Sequence, residues 1–233
     1  MGIETPYSDV SIVVPDFNEA SVIGDVIAEV RSTFANVVCV DDGSRDDTAA
    51  AALTAGAHVV KHPVNLGQGA AIQTGIEYAR SQPGAAVFAT FDADGQHRVK
   101  DVVSMIERLS AEDVDIVIGT RFAQGPPPRM SVLKRVILQA AALLSPSSRK
   151  LGLTDAHNGL RVFNKTVADG LNITMNGMSH ASEIIALIVE NKWRAAEEPV
   201  EILYTDYSLS KGQPLLNGVN IIFDGFLRGR MRR

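Results

Sequence analysis

Asp92 and Asp94 stand one residue apart in Phe91-Asp92-Ala93-Asp94-Gly95-Gln96-His97, directly after the apolar run Ala85 to Phe91. Two carboxylates at that spacing offer hard oxygen ligands to Mg2+ or Mn2+. Mg2+ in particular is held by one or two carboxylates plus substrate phosphates rather than by a complete protein cage. The apolar run reads as a strand covered on both faces, and ligands gather at the carboxyl ends of such strands in open α/β sheets. The same residues also suit a plain acidic corner, because Asp94-Gly95 carries turn chemistry of its own.

Three more loops follow short strand-like runs: Pro15-Asp16-Phe17-Asn18-Glu19, Asp41-Asp42-Gly43-Ser44 and Asn65-Leu66-Gly67-Gln68-Gly69. Carboxylates in the first two can accept hydrogen bonds from a base or ribose, and the glycines of the third permit close backbone approach to a sugar or phosphate. Each has a plainer alternative: a tight turn at Asp42-Gly43-Ser44, a first-turn carboxylate at Glu19, a helix entry at Gly67-Gln68-Gly69. Their recurrence at successive strand ends is the stronger argument for a shared ligand. A dinucleotide fingerprint is excluded, since Ile72 takes the third glycine position and the segment follows a third strand, not the first.

The elements that must position these loops alternate between strand and helix, the signature of βαβ units and a mostly parallel sheet. Strands are expected at Ser11–Val14, Asn36–Val40, His58–Lys61, Ala85–Phe91 and Asp115–Gly119, with helices at Glu19–Phe34, through Thr54 behind an Asp46-Asp47-Thr48 cap, to Arg80 after Gly69, and at Val99–Ser110. Gln124-Gly125-Pro126-Pro127-Pro128 breaks the alternation and suits a hinge or lid. Beyond it, helices are expected at Met130–Leu144 and His180–Trp193, a return to the sheet between Asp155 and Phe163, and a late strand at Val200–Tyr204.

With 233 residues, 45% hydrophobic and 21% charged, the chain can bury a sizeable core in one large domain or two small ones. No apolar stretch approaches the ~20 residues that span a bilayer, and the N-terminus lacks signal-peptide features, so a cytoplasmic protein is expected. The single cysteine, Cys39, excludes an internal disulfide and reads as a small core residue. A net charge of −5 argues against nucleic acid as partner. The charge is uneven, however: Gly125 to Leu153 holds Arg129, Lys134, Arg135, Arg149 and Lys150 with no acid, and the tail from Lys211 carries Arg228, Arg230, Arg232 and Arg233 against Asp224 alone. The apolar stretch Val136–Leu144 beside Lys134 and Arg135 suits a bilayer surface or a core helix. The apolar Val219–Leu227 ahead of the terminal arginines suits anionic lipid or a membrane partner.

Read in order, Val13-Val14-Pro15-Asp16-Phe17-Asn18-Glu19, Val40-Asp41-Asp42-Gly43-Ser44, Asn65-Leu66-Gly67-Gln68-Gly69 and Phe91 to His97 resemble the motifs of family 2 glycosyltransferases with the GT-A fold. More narrowly they resemble the dolichyl- or polyprenyl-phosphate sugar synthases, and the likeness continues through Gly119-Thr120-Arg121-Phe122 and Asp155 to Phe163. The resemblance implies an α/β, GT-A Rossmann-like, mostly parallel sheet flanked by helices. It implies one domain over 1–233, with a nucleotide-sugar half (1–122) and an acceptor half (123–233).

It also implies that Pro15, Phe17, Glu19 and Asp42 surround a UDP- or GDP-linked donor with Gln68 at its sugar or phosphate. Asp92 and Asp94 would hold Mg2+ or Mn2+ with Gln96 as a further ligand, and Arg121 and Arg135 would bind the acceptor phosphate. Two positions depart from the pattern: Asp16 stands where these proteins have a small or neutral residue, and Gln68 where many have lysine.

The expected reaction is inverting transfer of a sugar from a nucleoside diphosphate to a polyprenyl phosphate. The protein would sit peripherally on the inner face of the cell membrane, with or without a small transmembrane partner. A hydroxyl acceptor would instead need a carboxylate base, for which Asp155 and Glu183 are the candidates. A non-catalytic nucleotide-sugar-binding subunit and a nucleotidyltransferase are the alternatives from other classes. His157, His180 and Trp193 read as packing or acceptor-site residues.

Overall fold

Alternate side chains of the first two strands separate cleanly between the two faces of a sheet. In β1 (Val10–Asp16) and β2 (Asn36–Asp41), Ile12, Val14, Val37 and Cys39 enter one apolar cluster, while Val13, Val38 and Val40 enter another on the opposite face. The computed structural model describes residues 6–123, 132–175, 177 and 179–203. The proline-rich 124–128, proposed as a lid, and the basic tail from 211, with its apolar 219–227, lie outside the described residues.

Five further strands, β3 (His58–Lys61), β4 (Val87–Thr90), β5 (Ile116–Thr120), β6 (Arg161–Asn164) and β7 (Ala195–Pro199), complete one seven-stranded sheet in the order β3-β2-β1-β4-β6-β5-β7. All neighbours are parallel except β6, which runs antiparallel between β4 and β5. Both halves of the sequence therefore share one sheet. After β3 the chain crosses to the far side of β1 to form β4, so the strand order reverses beside β1, and ligand crevices form at such a point.

Helices α1 (Ile23–Arg31), α2 (Thr48–Thr54) and α4 (Val99–Ala111) cover one face; α3 (Gln68–Arg80), α7 (Lys165–Gly170) and α8 (Ser179–Asn191) cover the other. In α4 the buried residues Val102, Met105, Ile106 and Leu109 follow the 3.6-residue period. Helix α3 lies close on β1 because Gly75 has no side chain: a Cβ there would sit 2.3 Å from Val13 Cγ1. Helices α5 (Val132–Leu144) and α6 (Pro146–Leu151) follow β5. No helix among the described residues is long and apolar enough to cross a membrane.

The structure departs from the sequence reading in four places. Helix α1 starts at Ile23 rather than Glu19, because the amides of Asn18, Glu19 and Ala20 are tied to Ser44 Oγ, Thr48 Oγ1 and Asp46 Oδ2 of the neighbouring loop. Glu19 is therefore a loop residue. The Asp46-Asp47 cap is made by Asp46, whose Oδ1 accepts from the Thr48 amide at 3.2 Å, while the Asp47 side chain caps nothing. The late strand expected at Val200–Tyr204 is found earlier, at Ala195–Pro199, while 200–203 are not strand and Tyr204 lies outside the described residues; polar Glu197 and Glu198 hid it, and as a half-exposed edge beside β5 it needs no apolar run. Finally, beyond the expected helix ending at Leu144, Pro146 opens a further short helix that the sequence reading lacks, with Ser145 Oγ accepting from the Ser148 amide and Gly152 closing it at φ +68°.

Candidate active site

The loops after β1, β2, β3 and β4 leave the sheet at one edge because these four strands are parallel. Asp92 follows β4 by two residues, and its side chain remains 31% exposed. Its Oδ2 accepts from Nε2 of the buried His97 at 2.9 Å, and its Oδ1 accepts from Gln68 Nε2 at 3.3 Å. Burial raises the Asp92 carboxyl, but the His97 hydrogen bond and the charges of His97 and Arg161 outweigh it and hold the group below the usual carboxylate range.

Asp94, whose Oδ1 accepts from the Gln96 amide at 3.1 Å, behaves oppositely: burial and then the charge of Asp92 push it up to about 6. Gln96 lies half-buried two residues further on, with its backbone oxygen taken by the Leu203 amide at 2.9 Å.

These oxygens fit a hard divalent cation. Each Asp92 oxygen carries a single protein partner and keeps acceptor capacity, and Asp94 sits beside a second negative charge that a cation would neutralise. No group of three or more acidic, histidine or cysteine side chains converges on a metal-sized site among the described residues. The backbone shapes this corner as well. A Cβ on Gly159 would fall 2.1 Å from Asp92 Oδ2, so only glycine leaves the carboxylate room, and Thr90 Oγ1 donates to the Gly159 carbonyl at 2.6 Å to hold it there.

On the donor side, Pro15 is buried in β1 while Phe17 just beyond is 41% exposed. Asp42 is 3% exposed and heavily used: Oδ1 accepts from the Leu66 amide at 2.9 Å and His62 Nδ1 at 2.7 Å, and Oδ2 from the Gly67 amide at 2.7 Å. Asp42 thus ties the glycine loop to the end of β2. The Cys39 thiol donates to Asp16 Oδ2 at 2.6 Å, and Asp16 Oδ1 is buried with no hydrogen-bond partner among the described residues. Burial, reinforced by the charges of Asp41, Glu19 and Asp46, pushes the Asp16 carboxyl up to about 7.

Across the sheet, Arg121 follows β5 directly and grips Asp155 with two nitrogens, Nε to Oδ2 and Nη2 to Oδ1, both at 2.6 Å. Burial raises the Asp155 carboxyl, yet the Arg121 charge and hydrogen bonds hold it below the usual range. Glu183 accepts from the Thr174 amide at 3.0 Å, Thr174 Oγ1 at 2.7 Å and the Met175 amide at 2.8 Å, so it fastens the 174–175 backbone to α8. Both carboxylates read as bases from sequence are structural anchors. Arg135 lies on α5 with its Nε buried and without a hydrogen-bond partner among the described residues.

Residues 11–171 match the model of glycosyl transferase family 2. The chain belongs to that family. Among relatives, an uncharacterized protein of Methanocaldococcus jannaschii is 32% identical, over 94% of this chain and 92% of its own length. The UDP-N-acetylglucosamine–dolichyl-phosphate N-acetylglucosaminyltransferase of Methanococcus voltae is 26% identical, over 91% of this chain and 92% of its own. The polyprenol monophosphomannose synthase of Mycolicibacterium smegmatis is 23% identical, over 98% and 91%. Glucosyl-3-phosphoglycerate synthase of Mycobacterium tuberculosis, solved with phosphoglyceric acid, shares the fold at a TM-score of 0.73 and 18% identity, covering 95% of this chain and 80% of that one.

Three residues of this family 2 site were not singled out from sequence. His97 carries its signal in its place directly after Gln96, the last candidate metal ligand. His62 gave only the weak signal of a polar residue ending a short strand. Arg161 is 1% exposed, with Nε and Nη2 unpartnered by protein, and a charge inside the strand-like Leu160-Arg161-Val162-Phe163 was its mark. Burial and then the charge of Arg161 pull His157 and His180 down to about 4, so both are neutral at pH 7. Trp193 packs against Gly170, where a Cβ would meet its ring at 2.7 Å.

Proposed function

We propose that the chain transfers a sugar, with inversion, from a nucleoside diphosphate sugar to the phosphate of a polyprenyl phosphate. The observation that carries this reading is the engagement of Asp155 and Glu183. A hydroxyl acceptor must lose a proton as it attacks, and neither carboxylate is placed to take one. A phosphate acceptor is already anionic at neutral pH. Its oxygen forms the bond to the anomeric carbon while the bond from that carbon to the donor's phosphate oxygen breaks, giving a sugar phosphodiester and a nucleoside diphosphate. The named functions of the Methanococcus and Mycolicibacterium relatives support the same acceptor class.

Within this reading Phe17, Glu19 and the loop tied down by Asp42 border the donor, and Gln68 positions Asp92. Asp92 and Asp94, with Gln96 beside them, would hold the divalent cation; when bound it supplies electrostatic stabilisation of the departing diphosphate. Asp155 aims Arg121, which with Arg135 orients the acceptor phosphate through charge-assisted hydrogen bonds. The whole chain acts as one domain, residues 1–122 serving the donor and 123–233 the acceptor.

The location that completes this reading is the cytoplasmic membrane surface, and helix α5 supports its membrane-surface part. Leu133, Val136 and Leu143 are 56%, 55% and 68% exposed. At about 100° per residue they fall within an arc of about 80°, an apolar stripe suited to lie in a headgroup layer.

The test is incubation of the protein with polyprenyl phosphate and labelled UDP- and GDP-sugars, with Mg2+ or Mn2+ and with chelator. Metal-dependent label in the organic phase supports the reading; donor binding without transfer to any acceptor would favour a binding subunit, and pyrophosphate release would indicate a nucleotidyltransferase.

A further inference from the structure

A carboxylate has about four acceptor positions, two on each oxygen. Asp42 spends three of them inside the protein. Oδ1 takes both the Leu66 amide and His62 Nδ1, and Oδ2 takes the Gly67 amide. His62 is held in that orientation from its other side, where Nε2 meets Thr74 Oγ1 at 3.0 Å. With Nδ1 donating to the carboxylate and Nε2 paired with the threonine hydroxyl, the chain Thr74–His62–Asp42 is satisfied throughout. His62 is only 7% exposed and Asp42 only 3%, and of the four positions the one left is on Oδ2.

The place of Asp42 makes that remaining position consequential. It directly follows β2 beside β1, and the exposed ring of Phe17 directly follows β1, where an aromatic face can cover a planar base. Gly43 keeps the loop close: at φ +75°, a Cβ there would be 2.6 Å from the Val64 carbonyl carbon.

We infer that His62 sets base selectivity at the donor site: by filling Oδ1 of Asp42 it leaves one acceptor, which matches uracil and rejects guanine. Uracil offers one donor, N3–H. Guanine offers two on its corresponding edge, N1–H and the N2 amino group, and a carboxylate satisfies them only with an acceptor position free on each oxygen. Here the second donor would be buried without a partner, the situation in which polar sites discriminate most strongly. The inference rests on the donor-site reading above and names the nucleotide within it.

Equilibrium binding of UDP, GDP and IDP to the full chain with Mg2+, measured by titration calorimetry, tests both. UDP should bind at least about tenfold tighter than GDP. IDP has the size of GDP but lacks the N2 amino group, so it should bind tighter than GDP in the unaltered protein, separating donor count from ring size. His62→Ala, checked for folding by circular dichroism, should retain UDP binding and narrow the UDP-to-GDP preference to about threefold or less.

GDP binding as tightly as UDP, GDP matching or exceeding IDP, or an unchanged preference in folded His62→Ala overturns the role of His62. Failure of all three nucleotides to bind overturns the donor-site reading itself.

Discussion

Arg121 and Asp155 meet in a two-pronged ion pair, Nε on Oδ2 and Nη2 on Oδ1, each at 2.6 Å, and the Arg121 amide adds a third bond to Oδ2 at 3.0 Å. Two further amides, of Thr154 and Asp155, are bound by Glu197 Oε1 at 2.7 and 3.0 Å, so the Asp155 backbone is pinned to β7. Asp155 is 2% exposed; removing its charge takes the ionised acceptor away from two guanidinium hydrogen bonds of the largely buried Arg121. Asp155→Asn should therefore lose about 3 kcal/mol of stability in urea unfolding at pH 7. It should also raise KM for polyprenyl phosphate more than KM for the nucleotide sugar. Because the native carboxyl titrates below its unfolded value of about 4, the pair's contribution is complete above that pH and disappears as pH falls through the native value. The gap between wild type and variant should close in acid.

Gly159→Ala should separate activity from folding. The new methyl would occupy the place of Asp92 Oδ2, forcing the carboxylate away from its His97 contact. Displacing a reacting geometry by about 1 Å costs on the order of 100-fold in rate, so transfer should fall by about that factor while the urea midpoint changes little. A variant with full activity would mean that Asp92 does not act from the observed position.

His97 orients Asp92 from inside the protein, and groups that orient metal-binding carboxylates are worth about 10- to 100-fold in metal affinity. His97→Ala should weaken Mn2+ by that factor in a titration followed by electron paramagnetic resonance with the nucleotide present. Unchanged affinity would show that the buried ring serves packing against Phe91 alone.

Asp16 makes a pH prediction. Its carboxyl is raised to about 7 by burial, so the folded state holds the proton more tightly than the unfolded chain. The resulting stability is full below about pH 4 and is lost as pH rises towards 7, at about 1.4 kcal/mol per unit at most. Asp16→Asn keeps an acceptor for the Cys39 thiol and removes the titration. Relative to wild type it should gain about 2–4 kcal/mol between pH 4 and 8 by urea unfolding. Parallel pH profiles for the two proteins would contradict the buried, uncompensated carboxyl.

Much of the donor half was legible because its determinants are local. Strand runs such as Asn36–Val40 and the glycine-marked turns place Asp42, Gln68, Asp92 and Asp94 at strand ends, and the parallel sheet brings those ends together. What stayed hidden depends on partners far apart in the chain. Nothing near Asp155 or Glu183 reveals that Arg121 and the 174–175 amides occupy them, and the 20-residue separation of His62 from Asp42 carries no periodic signal. Glu197 and Glu198 look like loop residues until β5 is known to need an edge neighbour. In each case tertiary pairing, not propensity, decides the role.

The central claim is that the attacking atom is a phosphate oxygen that needs no protein base. The direct test offers the enzyme matched polyprenyl phosphate and polyprenol with one labelled nucleotide sugar and Mg2+, followed by mass spectrometry of the extracted lipid. The account predicts a glycosyl phosphodiester from polyprenyl phosphate, none from polyprenol, and loss of product in Asp94→Ala; efficient glycosylation of polyprenol would contradict it.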